Sequence, residues 1–233
     1  MSCSRSVPFE GFAHWIVLMT ESLAFIAIEG PIGVGKTTLA RRLAEDFGAE
    51  LLLEQPEENP FLERFYEDPR RLALPTQLSF LMTRVRQTRE LRQSDLFATT
   101  RIADFILEKD RLFAEVTLDK DEFELYEQVY AQLTLDAPRP DLVVYLQAPV
   151  DVLLRRIDKR ARSFERKIDP TYLTQLCAQY ADFFYHYDET PLLIVNASEI
   201  DIVSNERDYL ALVDEIRTPP TGRRFFNPLP FTM

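Results

Sequence analysis

From Leu23 onward the chain alternates between two hydrophobic patterns: short unbroken apolar runs, and longer stretches in which apolar residues recur every three or four positions. The first run, LAFIAIE (23–29), is apolar without alternation, as a parallel strand covered on both faces requires, and it stops at a glycine. The stretch after it predicts a helix from Lys36 to Phe47. Further strands are predicted over ELLLE (50–54), LFATTRIAD (96–104), DLVVYLQ (141–147) and LLIVN (192–196), with helical stretches between them. An Asn-Pro helix start at Asn59 and a long helix from Leu72 to Gln93 fill the gap between the second and third strands. Alternating strands and helices specify an α/β fold built on a parallel sheet. No internal repeat or low-complexity linker interrupts residues 21–217, which therefore read as one domain. Residues 1–20 have a short apolar run and one early Arg but no small-residue cleavage site, so a loosely attached extension is expected, with Met19 a candidate start. The tail TPPTGRRFFNPLPFTM (218–233) is expected to be irregular.

Composition narrows the class further. A chain of 233 residues with 46% hydrophobic and 28% charged residues can bury a full core. The 38 acidic residues outnumber the 27 basic ones, and the net charge of −11 argues against a nucleic-acid surface. Cys3 and Cys177 form no CxxC pair and have only His14 and His186 for company, which excludes a structural zinc site and a disulfide framework. This fits a reducing cytoplasm. No run approaches the roughly 18 apolar residues of a membrane span, so no membrane partner is expected.

The strongest chemical signal is GPIGVGKTT, Gly30 to Thr38, which fits G-x-x-x-x-G-K-[ST] with Gly30, Gly35, Lys36 and Thr37 in register. In such a loop the backbone N–H groups of Gly30, Pro31's neighbours Ile32 and Gly33, Val34, Gly35 and Thr38 turn toward phosphate oxygens, and the next helix offers its positive end. Lys36 adds a full charge and Thr37 a hydroxyl for Mg²⁺. The loop sits between a buried strand and a helix, as the mechanism demands. The chain has neither the N-K-x-D nor the D-x-x-G of a GTPase, which leaves a small-molecule kinase as the best class.

Right-handed crossovers bring the ends of parallel strands to the edge that carries the phosphate loop, so Glu54 should face the phosphates. A carboxylate there can take the proton of an attacking hydroxyl. Alternatively it belongs to a solvated acidic patch, since residues 45–68 hold nine acids against the single base Arg64. Gln77 and Arg84 lie two helical turns apart on one face, and an amide that donates and accepts suits a nucleobase edge, although a polar helix face has the same look. The segment DVLLRRIDKRARSFERK (151–167) has seven bases and three acids. Arg156 and Arg160 repel at i,i+4, and either a polyphosphate or the acids Asp158 and Glu165 can relieve them.

Together these segments resemble the deoxynucleoside kinase family, over most of the chain from Leu23. GPIGVGKT is similar to the family phosphate loop, and E54-Q-P-E-E-N-P-F-L to the segment whose Glu is the general base for the 5′-hydroxyl. Y66-E-D-P-R-R-L-A-L-P-T-Q77 resembles the stretch whose Tyr bonds the sugar and whose Gln reads the base, with Phe61 and Phe113 near it. Arg84 matches an Arg that pairs with an Asp beside the base, here Asp110 in D104-F-I-L-E-K-D110-R111, and Asp104 is implied as a Mg²⁺ residue. R156-I-D-K-R160-A-R162-S-F-E165 resembles the lid (156–167), with Arg156, Arg160 and Arg162 for phosphate and Glu165 for the 3′-hydroxyl. The resemblance implies a P-loop kinase fold with a five-stranded parallel sheet, a homodimer, and transfer of the γ-phosphoryl group of ATP to a 2′-deoxynucleoside. Adenine, guanine or cytosine is expected over thymine. One departure stands out: the family Arg after the third strand is Phe105 here, and Arg111 or a lid Arg is expected to compensate. The rivals are a nucleoside monophosphate kinase of the thymidylate type, disfavoured by Ile32 and Val34 inside the loop, and a catalytically weak regulatory subunit.

Overall fold

The computed structural model describes residues 23–93, 100–135, 137–160, 162, 164–198, 200 and 205–227. The predicted extension (1–20) with Met19, the opening of the predicted third strand (96–99) and the end of the tail (228–233) lie outside the described residues. Six parallel strands, β1 (Phe25–Glu29), β2 (Glu50–Leu52), β3 (Arg101–Ala103), β4 (Leu142–Gln147), β5 (Leu192–Asn196) and β6 (Arg223–Phe226), lie in the order β2-β3-β1-β4-β5-β6. The helices are α1 (Lys36–Phe47), α2 (Leu62–Phe65), α3 (Pro69–Gln93), α4 (Lys109–Thr117), α5 (Lys120–Thr134), α6 (Val150–Arg160), α7 (Pro170–His186) and α8 (Glu206–Arg217).

Side chains alternate across each strand and so feed two cores. Ile26, Ile28, Val144, Leu146, Leu193 and Val195 point to one face, against Leu39 and Leu43 of α1, Leu153 of α6 and Leu212 and Ile216 of α8. Ala27, Val143, Tyr145, Leu192 and Ile194 point to the other, against Leu112 of α4 and Leu176, Tyr180 and Phe184 of α7. Both faces being covered explains why these strands read as unbroken apolar runs. Each fully buried Ile or Leu contributes about 1.5–3 kcal/mol. Among the described residues no helix is long and apolar enough to cross a membrane.

Three expectations are corrected. The sheet has six strands rather than five, and the sixth comes from the tail predicted to be irregular: β6 adds in parallel to β5, with Leu192 N donating to Gly222 O at 2.8 Å. The strand predicted over 50–54 ends at Leu52, because Glu54 N turns from the ladder to donate to Asp104 Oδ1 at 2.7 Å. No helix starts at Asn59; the side chain of Asn59 instead accepts from Phe61 N and donates to Thr76 O, clamping the start of α2 to α3.

Candidate active site

The loop between β1 and α1 leaves the sheet beside its switch in strand order, where the C-terminal ends of β3 and β4 flank β1. Its path requires glycine at two points. A Cβ at Gly30 would stand 2.3 Å from Leu146 O, and one at Gly33, where φ is +83°, would stand 2.8 Å from Ile157 Cγ1 of α6. Pro31 and Val34 are buried, Ile32 lines the cavity described below, and Thr38 is exposed on the first turn of α1. Gly35 caps α1 with no side-chain hydrogen bond, so the helix start keeps its N–H donors for an anion. Lys36 Nζ lies across the loop, donating to Gly30 O at 2.6 Å and Pro31 O at 3.2 Å. Burial, with repulsion from Lys109, brings its ammonium down to about 8, against the opposing pull of Glu29, Glu54 and Asp104.

Glu29, at the end of β1, is fully buried and accepts from Gly30 N (2.8 Å), Ile106 N (3.0 Å) and Tyr180 OH (2.9 Å). One carboxylate thus joins the phosphate loop, the turn after β3 and α7. On that turn Asp104 Oδ2 accepts from Thr37 Oγ1 at 2.5 Å. A hydroxyl and a carboxylate in contact are hard oxygen donors of the kind Mg²⁺ takes when phosphates and waters complete its shell. No group of three or more His, Cys, Asp or Glu able to hold a metal exists among the described residues.

A cavity opens from this edge, walled by Lys36, Thr37, Glu54, Tyr66, Gln77, Arg84, Asp104, Phe113, Arg160, Arg162 and Glu165. The structure therefore brings most of the predicted residues to one wall. Phe61, Asp110 and Arg156 do not line it, and Phe61 lies under the Arg64 guanidinium. Arg84 of α3, stacked between Phe80 and Phe105, bridges Glu54 and Asp110. The second oxygen of Glu54 accepts from Lys109 Nζ at 2.8 Å. Burial raises the Glu54 carboxyl, but Arg84, Lys109 and Lys36 overcome it and hold the group far below the usual carboxylate range. Tyr66 moves the other way, its phenol pushed well up by burial and by Glu54.

At the inner end of the cavity Thr117 Oγ1 donates to Phe113 O at 2.7 Å and so has only lone pairs to offer Gln77, whose Nε2 donates to it at 3.1 Å. This fixes the amide with Gln77 Oε1 buried and unpartnered; Asp110 Oδ2 and Arg84 Nε are likewise buried without partners. At the outer end Arg160 and Arg162 both face Glu165, which is 4% exposed, and Arg162 also meets Glu57 at 3.2 Å. Lys167 pairs with Glu67 at 2.5 Å, tying the basic segment to the residues just after α2. Arg156 sits deeper, donating to Val34 O (3.2 Å) and Ala197 O (2.7 Å).

The expected substitute for the missing Arg is elsewhere. Arg111 is half-exposed, pairs with Glu115 and Glu127, and lines a separate hollow of about 550 Å³ at the N-terminal ends of the strands. Phe105 is buried and points toward that same hollow. The cations beside Glu54 are Arg84 and Lys109, and Lys109 is not singled out by the sequence because Lys is rarely buried unless paired. Its one signal is its place next to Asp110 at the start of α4. Glu29 is missed for a similar reason, reading simply as the end of a strand.

A family model described as deoxynucleoside kinase matches residues 26–219. A deoxyguanosine kinase of Bacillus subtilis is 37% identical over 200 residues, covering 83% of this chain and 96% of its own. A deoxyadenosine kinase of Lactobacillus acidophilus is 30% identical, covering 82% and 94%. A solved structure of deoxyadenosine kinase from M. mycoides with products dCMP and dCDP bound superimposes with a TM-score of 0.74 at 26% identity, covering 83% of this chain and 99% of that one. With a phosphate loop, the Glu54 carboxylate and two arginines lining one cavity, and a family match over residues 26–219, this chain belongs to the deoxynucleoside kinase family.

Proposed function

We propose that the chain transfers the γ-phosphoryl group of ATP to the 5′-hydroxyl of a 2′-deoxynucleoside, in nucleotide salvage. The observation that carries the reading is Glu54: a part-buried carboxylate, held well below the usual carboxylate range by Arg84 and Lys109, that lines one cavity with Lys36, Thr37 and Asp104. Glu54 orients the hydroxyl and accepts its proton, which becomes strongly acidic once the oxygen bonds phosphorus, so even a weakly basic carboxylate suffices. Lys36, Arg160 and Arg162 stabilise charge on the transferring group. The loop from Gly30 to Thr38 and Arg156 hold the triphosphate, and Thr37 and Asp104 would hold Mg²⁺, which when bound neutralises charge on the phosphates. Tyr66 and Glu165 take the sugar 3′-hydroxyl.

The base preference follows from the unpartnered atoms. Gln77 Oε1 and Asp110 Oδ2 are buried acceptors that need donors. Adenine, guanine and cytosine carry an amino group; thymine does not, so it leaves an acceptor unpaired. The free volume is about 100 Å³, below the roughly 300 Å³ at which ligand pockets begin, so Arg84 and the lid shift when the nucleoside enters. The same reading has the enzyme act as a homodimer in the cytoplasm.

A coupled assay of the purified chain against the four deoxynucleosides and their monophosphates, with Glu54→Gln alongside, tests this. The variant should lose roughly 10²- to 10⁴-fold in kcat and keep its deoxynucleoside Kd. Activity on monophosphates alone would move the chain to the other kinase class, and unchanged turnover in the variant would remove Glu54 from its role.

A further inference from the structure

Lys109 is 2% exposed, and taking an ammonium out of water costs several kcal/mol unless a partner repays it. The partner is Glu54, and the contact, 2.8 Å from Nζ to Oε2, uses the oxygen that Arg84 leaves open. Glu54 is thus gripped by two cations carried on different helices, Arg84 from α3 and Lys109 from α4, while its backbone N–H is held by Asp104. Both rotations of the carboxylate end are thereby restricted. The Lys109 ammonium also stands over the Phe113 ring, 5.6 Å from its centre. Fixity of this kind decides rates, since a reacting group displaced by about 1 Å can cost 10²-fold.

We propose that Lys109 is a positioning residue for the transfer: it aims Glu54 at the acceptor hydroxyl, and its effect on rate passes through Glu54. The inference rests on the function proposed above. In the step it serves, the hydroxyl proton passes to Glu54, the hydroxyl oxygen bonds the γ-phosphorus, and the bond to the β–γ bridging oxygen breaks with its electrons going to ADP. Lys109 keeps its proton throughout. Arg84 reaches toward the base through Asp110 and so is shared between two tasks; the Lys109 ammonium bonds Glu54 alone among the side-chain hydrogen bonds of the described residues.

The test compares wild type, Lys109→Met, Lys109→Arg, Glu54→Gln and the double variant Lys109→Met/Glu54→Gln. Lys109→Met should lower kcat by about 10²-fold while the deoxynucleoside Kd, read by calorimetry, changes less than about threefold. Lys109→Arg should recover to within about tenfold of wild type, because it restores a cation to Glu54. The double variant should be no slower than Glu54→Gln alone, the mark of a residue that acts through another. Wild-type kcat in Lys109→Met, or a double variant slower by the full factor of Lys109→Met, would overturn the proposal. Should Lys109→Met not fold, Lys109→Gln, which keeps a donor for Glu54 without a buried charge, should still lose at least about tenfold in kcat at unchanged Kd, and full activity in it would overturn the proposal equally. A wild-type chain inactive on every deoxynucleoside overturns the functional reading itself; an active wild type with an inactive Glu54→Gln and a fully active Lys109→Met overturns Lys109 alone.

Discussion

Asp110 shows how a buried acid is held at a cost in stability. It is fully buried behind Arg84, which pairs with one of its oxygens, and the other has no partner. Burial raises its carboxyl and Glu54 raises it further; Arg84 and Lys109 pull it down, and the result is a value of about 7 against an ordinary 3.8. Between those two values the folded chain binds more protons at this position than the unfolded chain, so stability falls as pH rises. The contribution of Asp110 is complete below about pH 4 and is lost as pH climbs through 7. Asp110→Asn cannot ionise and lacks this slope. Urea denaturation at pH 5 and pH 8 should therefore show the variant gaining on wild type at the higher pH; a constant difference would mean that Asp110 is ionised throughout. A deoxynucleoside that donates to the free oxygen of Asp110 should flatten the slope as well, because it supplies the missing partner.

The elements owe their placement to a few side chains that cross between them, Glu29 first among these. Its carboxylate accepts three donors from three segments, and an amide in its place has one acceptor oxygen and turns its N–H₂ toward at least one donor. Glu29→Gln should therefore cost about 1–3 kcal/mol in urea denaturation and weaken ATP binding, since the phosphate loop loses its tie to the turn after β3. Stability equal to wild type would show that the three bonds are replaceable. This kind of dependence separates what is legible in the sequence from what is not. α1 (Lys36–Phe47) and β5 (Leu192–Asn196) have the bounds that local pattern predicts, because a glycine turn and an unbroken apolar run specify them without help. β3 is only Arg101–Ala103, because pairing with β1 and β2 rather than apolar content sets its length. Glu54, Gln77 and Arg84 are legible as candidates from position and spacing, and Asp110, Arg160, Arg162 and Glu165 from the resemblance; all but Asp110 line one cavity, and Asp110 meets it through Arg84. Lys109 and Glu29 are not, because nothing local distinguishes a buried charged residue from an exposed one until the packing exists.

At the scale of the molecule, the sheet depends on a strand that its own sequence does not announce. RRFF has no alternation and a charged start, and it becomes β6 through what holds it: the ladder to β5, Arg223 donating to Tyr185 O and Tyr187 O at the end of α7, and Arg224 bonding Glu215 and Thr218 O at the end of α8. Asn227 Oδ1 accepts from Asn196 Nδ2 beyond the strand end. These contacts pin the sheet edge to the helices on both faces. Ending the chain at Thr221 removes them and exposes the edge of β5, whose LLIVN is an apolar, charge-free template for another chain. Several lost backbone bonds at about 1 kcal/mol each, with the packing of Phe226, set a loss of roughly 3 kcal/mol or more. That is about 6–12 °C in Tm for a chain of this size. The truncation takes away two arginines and no acid, so the net charge becomes more negative than −11 and charge repulsion grows. Association of the truncated chain would then have to come from the bare edge and not from lost repulsion. Calorimetry and light scattering at two concentrations should show the lower Tm together with concentration-dependent growth in mass beyond that of the full chain. An unchanged Tm with unchanged mass would mean that β5 serves as an edge strand without its cover.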